Sequence, residues 1–279
     1  MRGLDGLLQK FNLLHKKEEI LRIAVPAIRL VKESTDEEEL PIGQSKFGGL
    51  PDLPSTISFP TYKNGDLTFL AQLNLQEVEV FDHKQLLPKK GFLYFFYDIE
   101  EQPWGFDTDD HDAYKVLYFD GDVNELKRTP YPKETEDYSP LPSYKINFEE
   151  IFTFPEEFDG GGFNEEESEH YYEFRTSVVE TNHENELSTY PMHYMLGEPY
   201  NIQNNVFEEI VYYDNKEKLD WYSKELNEAS NQMVLLFQMD SDDDLNVMWG
   251  DAGIIYFCIN KEDLKNQKFT QTKFILQCY

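Results

Sequence analysis

Apolar positions recur along this chain with two different periods, and the change from one to the other sets the predicted elements. Leu4, Leu7, Leu8, Phe11 and Leu14 follow helical spacing, and Ile20, Leu21 and Ala24 continue that face as far as Pro26. Residues 1–26 therefore read as an amphipathic helix. Its Lys10, Lys16, Lys17 and Arg22 suit docking on an acidic body better than anchoring in a lipid surface. Ala27–Val31 reads as a strand, Asp36–Glu39 as a solvated turn, and Gly48, Gly49, Pro51 and Pro54 as an irregular loop.

Strands are predicted over Phe69–Leu73 and Phe92–Tyr97. The second has no polar alternation, so both of its faces should be covered. Tyr114–Phe119 and Tyr144–Phe154 are further strands, and Pro130, Pro132, Pro140 and Pro142 mark a connection over 129–142. Asn164 caps a helix predicted to reach Val179, with glutamates in its first turn, and Lys216–Ala229 reads as a later helix. Met233–Met239, Gly253–Ile259 and Phe269–Cys278 close the chain as strands.

The apolar pattern also repeats. Phe69-Leu70-Ala71-Gln72-Leu73-Asn74, leading to Gly91-Phe92-Leu93-Tyr94-Phe95-Phe96, is echoed by Leu235-Leu236-Phe237-Gln238-Met239-Asp240, leading to Gly253-Ile254-Ile255-Tyr256-Phe257-Cys258. Gly49-Leu50-Pro51 against Gly197-Glu198-Pro199 is a fainter match. The repeat predicts a mainly β, α+β fold with peripheral helices, in which two similar β-rich halves from an internal duplication share one core. A single domain over 1–279 would then comprise the helix at 1–26, a first half at 27–128, the connection at 129–142 and a second half at 143–279.

Composition agrees with the β reading, since 18 Tyr and 21 Phe favour half-buried pleated surfaces. Charge narrows the partners. Lys and Arg number 25 against 54 Asp and Glu, a formal net charge of -29. Such a surface repels phosphate backbones and anionic lipid, so neither nucleic acid nor a membrane is expected as partner, while a basic protein is allowed. Solubility alone is the plainer use of the same charge. The imbalance is uneven, because residues 1–32 carry seven Lys and Arg against three Asp and Glu. Cys258 and Cys278 are too few for a disulfide framework. With no leader pattern and no apolar run near the roughly 20 residues needed to cross a bilayer, a cytoplasmic location is expected.

Ser45-Lys46-Phe47-Gly48-Gly49-Leu50-Pro51, Phe69 to Leu75, Leu87-Pro88 leading to Gly91 through Tyr97, and Gln238 with Asp240-Ser241-Asp242 leading to Trp249-Gly250-Asp251-Ala252-Gly253 together resemble the YwqG-like family. Ile275-Leu276-Gln277-Cys278 fits its ending, and residues 101–190 match it least. The resemblance implies a mainly β, roll-like fold in bacterial proteins. It implies no activity, substrate or catalytic residue.

Candidate chemistry is sparse. Asp240, Asp242, Asp244 and Asp251 stand at the first, third, fifth and twelfth places of a calcium-loop register, so calcium is the one cofactor the sequence suggests. Leu245 stands where that loop needs Gly, however, and a charged loop between buried strands is the simpler reading. Asp107, Asp109, Asp110, His111 and Asp112 gather carboxylates around an imidazole. Ser45 and Lys46, in a Gly-rich stretch, could meet an anion, or the glycines could serve only a turn. Gln72 and Gln238 each end an apolar strand and need partners, either in an adjoining loop or in a ligand. Trp249 and Asp251 precede the second Gly-opened strand and are the next ligand candidates.

Two functions remain open. One is a non-enzymatic binding protein, immunity-like towards a basic partner, or taking a small ligand in a crevice between the halves. The other is a hydrolase or metal-dependent enzyme, which requires the carboxylates to converge in one pocket.

Overall fold

A computed structural model describes residues 4–63, 65–132, 140–156, 162–181, 190–215 and 218–279. Among these, ten strands form one antiparallel sheet: β1 (Val25–Ser34), β2 (Lys46–Phe47), β3 (Thr68–Asn74), β4 (Phe92–Tyr97), β5 (Tyr114–Phe119), β6 (Tyr144–Thr153), β7 (Tyr194–Met195), β8 (Met233–Asp240), β9 (Ile254–Asn260) and β10 (Lys273–Gln277). Their spatial order is β10-β9-β8-β7-β1-β6-β2-β3-β4-β5. The two longest strands, β1 and β6, pair at the centre from Val25 opposite Thr153 to Ser34 opposite Tyr144. Each then hands on to the other half of the chain: β1 pairs with β7, and β6 pairs with β2.

The arms beyond this centre carry unbroken apolar strands because each arm is covered on both faces. Leu93, Phe95 and Tyr97 of β4 meet Phe237, Ile255, Phe257, Phe274 and Trp249 of the other arm in the main core. Phe95 lies 4.8 Å from Phe237 and 5.2 Å from Phe257, ring centre to ring centre, and Tyr97 stacks on Phe274. Phe92, Tyr94 and Phe96 point the other way, into a cluster with Leu53, Leu126 and Tyr131. This outer face is covered in part by a ribbon of Asp52–Pro54 with Leu126–Arg128. The outer face of the second arm, with Tyr194, Leu235 and Tyr256, is covered by α5 (Val206–Asp214) and α6 (Lys224–Ser230).

A bulge recurs at matching places. Pairing slips between Phe69 and Ala71 in β3 and between Leu235 and Phe237 in β8. The extra residue lets Leu70 with Ala71, and Leu236 with Phe237, all join the main core.

Several predicted elements need correction. The helix over 1–26 breaks at Asn12, whose φ of 56° is left-handed, into α1 (Leu4–Lys10) and α2 (Lys17–Ile23), and a one-turn α3 (Leu75–Val78) follows β3. The first two dock through Leu4, Leu8, Phe11 and Ile20 on Tyr171 and Phe174 of α4 (Glu165–Glu180). The helix over 216–229 is shorter, because Ser223 caps α6 and starts it only at Lys224; residues 216–217 lie outside the described residues. Sequence reading missed α5, which Asn205 starts by accepting from the amides of Phe207 and Glu208. The last strand begins at Lys273, after a turn over Phe269–Gln271. Residues 133–139 of the connection and Gly160-Gly161 lie outside the described residues, but the ends of the connection are part of the core. The Tyr131 hydroxyl accepts from Phe69 N at 2.8 Å, and the Leu141 carbonyl accepts from Gly49 N.

That last contact needs a backbone without Cβ. Gly48 has a φ of 55°, and a Cβ there would lie 2.2 Å from the Pro142 carbonyl. Gly48→Ala should therefore lower the unfolding free energy by on the order of 2–4 kcal/mol, from left-handed strain plus the clash. Gly65→Ala, with open space around it, should stay within about 0.5 kcal/mol of wild type in the same urea titration.

Candidate functional site

Each buried glutamine does the same work in its own arm. Gln72 Oε1 accepts from Asp52 N at 2.8 Å, and its Nε2 donates to the Gln44 carbonyl at 2.8 Å. Gln238 Oε1 accepts from Tyr200 N at 3.1 Å, and its Nε2 donates to the Met192 carbonyl at 3.0 Å. Around them other pairs match. The Tyr94 hydroxyl donates to Asp52 O, and the Tyr256 hydroxyl to Tyr200 O. Ser45 Oγ accepts from Asn74 N, and His193 Nδ1 accepts from Asp240 N. Both glutamines are fully buried with their amides bonded to the loop beside them, so they pin backbone.

The remaining candidates are also spoken for. Lys46 is fully buried, with Nζ on Glu37 Oε1 at 2.8 Å and on the Leu50 carbonyl. Burial lowers its pKa, against the raising pull of Glu37 and Asp52. Beside it Asp52 is held by Arg128 Nε at 2.8 Å, by Gln72 Nε2 and by Gly43 N. These bonds make Lys46 part of a buried charge network with Glu37, Asp52 and Arg128. Trp249 is buried in the main core against Tyr97, its Nε1 donating to Asp240 O, on the opposite face of β8 from Gln238. Asp251 is exposed and offers its backbone carbonyl to Tyr279 N.

The calcium register is not realised in space. Asp242 takes Lys32 Nζ on Oδ1 at 2.6 Å and the His193 ring nitrogen Nε2 on Oδ2 at 2.8 Å. Asp244 is a second partner of Lys32, and Asp240 accepts from Met192 N. Nor do the carboxylates near His111 converge: Asp112 pairs with Lys115, Asp110 accepts from Gly105 N, and His111 itself faces Asp214 at 3.7 Å. Among the described residues no group of three or more His, Cys, Asp or Glu side chains could hold a metal ion.

Clefts on the described surface lie elsewhere. One of about 390 Å³ runs between the halves, from Gln85–Pro88 to Lys261, Leu264, Lys265 and Gln267, and no candidate residue lines it. A larger cleft of about 550 Å³ opens between the segment after β7 and the helices α5 and α6. Among the described residues its walls carry Glu156, Glu198 and Glu208 against one cation, Lys261, with Trp221 and Tyr222 among its aromatics. Lys261 Nζ is bonded to the Asn231 carbonyl at 2.6 Å, and Glu156 accepts from Asn201 Nδ2. The Glu198 carboxylate makes no hydrogen bond or ion pair among the described residues, and burial raises its pKa against the lowering fields of Lys84, Lys261 and Arg175.

Gln277 fixes the same region: its Oε1 accepts from Ile202 N and its Nε2 donates to Asn204 O and Glu209. Sequence reading missed both residues, although each left a signal. Gln277 ends an apolar strand as Gln72 and Gln238 do. Glu198 puts a charge where the matching turn has Leu50.

A family model described as "Domain of unknown function (DUF1963)" matches residues 45–278. No curated protein matches the chain.

The acidic groups predict a pH profile. For Asp242 burial alone would raise the pKa, but hydrogen bonds from His193 and Lys32 and their charges together depress it from 3.8 to about 2. Its stabilisation is complete above 3.8 and is lost as pH falls towards 2. Burial raises Asp240 and Glu198 instead, so each costs stability when ionised, and that cost is relieved as acid protonates it. Melting temperature should therefore rise as acid protonates Asp240 and Glu198, then fall as pH drops below 3.8 towards 2. Asp240→Asn should flatten the first limb and Asp242→Asn the second.

Proposed function

The chain belongs to the DUF1963 family, whose description assigns no activity, and from that premise we propose that it is a non-enzymatic binding protein for a basic partner. The observation that carries this reading is the 550 Å³ cleft, where among the described residues three glutamates face a single lysine already bonded to backbone. The net charge of -29 acts in the same direction over longer range, by steering a cationic surface towards the chain. The dispersal of Asp240, Asp242, Asp251 and His111 among separate partners weighs against the hydrolase or metal-dependent alternative.

Within this reading the chain is a YwqG-like protein of bacterial, cytoplasmic type, immunity-like in action: it would occupy a basic protein and block it. Among the described residues no helix is long and apolar enough to cross a membrane. We also take the matched glutamine, tyrosine and bulge positions as the trace of an internal duplication, in which the shared features form scaffold and the unshared ones confer specificity.

Native pull-down from the source cell at low ionic strength should return a basic protein. Its association rate with this chain should fall at least about tenfold between about 0.02 M and 0.3 M salt. Capture of neutral or acidic proteins only, or a rate indifferent to salt, would contradict the proposal.

A further inference from the structure

The two arms differ most where their frameworks match best. After the matched turn, Pro51-Asp52 in the first arm enters the ribbon with Leu126–Arg128, which covers that face. Pro199-Tyr200 in the second arm runs instead into Asn201–Asn205 and then α5. In the second arm α5 and α6 cover the outer face instead, and the cleft opens between them and the turn. Gly197 holds the turn tightly: at a φ of 77° its Cβ position would lie 2.5 Å from Thr153 Oγ1. Thr153 Oγ1 in turn accepts from Glu198 N at 2.7 Å, and the Tyr194 hydroxyl donates to Glu198 O at 2.9 Å. The Glu198 backbone is thus fixed on both sides while its carboxylate stays unbonded among the described residues.

Opposite it stands an aromatic rim. Trp221 meets Tyr212 edge to face at 4.7 Å, and Tyr222 is 91% exposed on a left-handed backbone with a φ of 69°. An exposed aromatic held in a costly conformation is a feature that folding alone does not ask for. Aromatic faces beside a partly desolvated carboxylate are the chemistry that holds an ammonium or a guanidinium. Among the described residues Lys84, Lys261 and Arg175 carry the cationic fields that reach Glu198, and none of them is bonded to its carboxylate. Lys261 is bonded to Asn231 O, and Arg175 is buried beside the rings of Tyr172 and Tyr200 at 5.8 and 5.7 Å.

We propose that this cleft is the docking pocket for a single arginine or lysine side chain of the partner, with Glu198 as the charge anchor and Trp221 and Tyr222 as the walls. The inference rests on the basic-partner reading and names the group that reading would recognise.

The test titrates the intact chain with acetyl-Gly-Arg-Gly-amide, following the Trp221 indole N–H by NMR, with the Glu-centred peptide and a neutral trisaccharide as comparison probes. Saturable shifts with the Arg peptide alone, weakened at least about tenfold in Glu198→Gln and in Tyr222→Ala with far-ultraviolet circular dichroism unchanged, are expected. Equal binding by Glu198→Gln, preference for the trisaccharide, or no shift with any probe would overturn the pocket. Partner capture separates the two claims. A basic protein held equally well by wild type and Glu198→Gln removes the pocket and leaves the reading. An Arg peptide bound through Glu198 by a chain that captures no basic protein removes the protein partner and leaves the pocket.

Discussion

The ladder between β1 and β6 is the constraint on which the rest of the molecule depends. Its ten facing pairs join the first strand of one half to the first strand of the other. Each strand then completes the opposite arm, β1 through Arg29 opposite Tyr194 and β6 through Lys145 opposite Lys46. An arm without its neighbour's strand would lose that pairing and leave Phe95, Phe237 and Phe257 without partners across the core. Each half packs its inner face on the other's, so the main core is built from both.

Onto this frame the arms place matching pins and unmatched chemistry. Gln72 and Gln238 satisfy loop amides and carbonyls that would otherwise cost about 1–3 kcal/mol each to bury unbonded. In the first arm the loop carries Asp52, which draws in Arg128 and closes a network with Lys46 and Glu37. In the second arm Tyr200 stands at the corresponding place and offers no such charge, α5 and α6 cover that face, and the cleft lies between them and Glu198.

Much of the sheet was legible because its strands are buried on both faces and so appear as continuous apolar runs such as Phe92–Tyr97 and Ile254–Ile259. Element starts set by a cap were harder: Asn205 starts α5, which was missed, and Ser223 starts α6 later than predicted. Periodicity also carried the N-terminal helix straight through Asn12, where the backbone turns left-handed. The candidate site was the least legible part. Residue type made Lys46, Asp242 and Trp249 conspicuous, but their partners lie far off in sequence, at Glu37, His193 and Tyr97, and only the fold shows them satisfied. Glu198 was conspicuous only by comparison with Leu50, and only the fold shows its carboxylate unbonded among the described residues.

The central claim is that the exchanged central strands make the two arms one cooperative body, with the cleft as a local departure on its surface. Native-state hydrogen exchange tests this directly. Amides of Leu93 and Phe95 in one arm and of Ile255 and Phe257 in the other should open with a single free energy equal to that of global unfolding. Opening of either arm at a free energy lower than the other by more than about 2 kcal/mol would contradict the account.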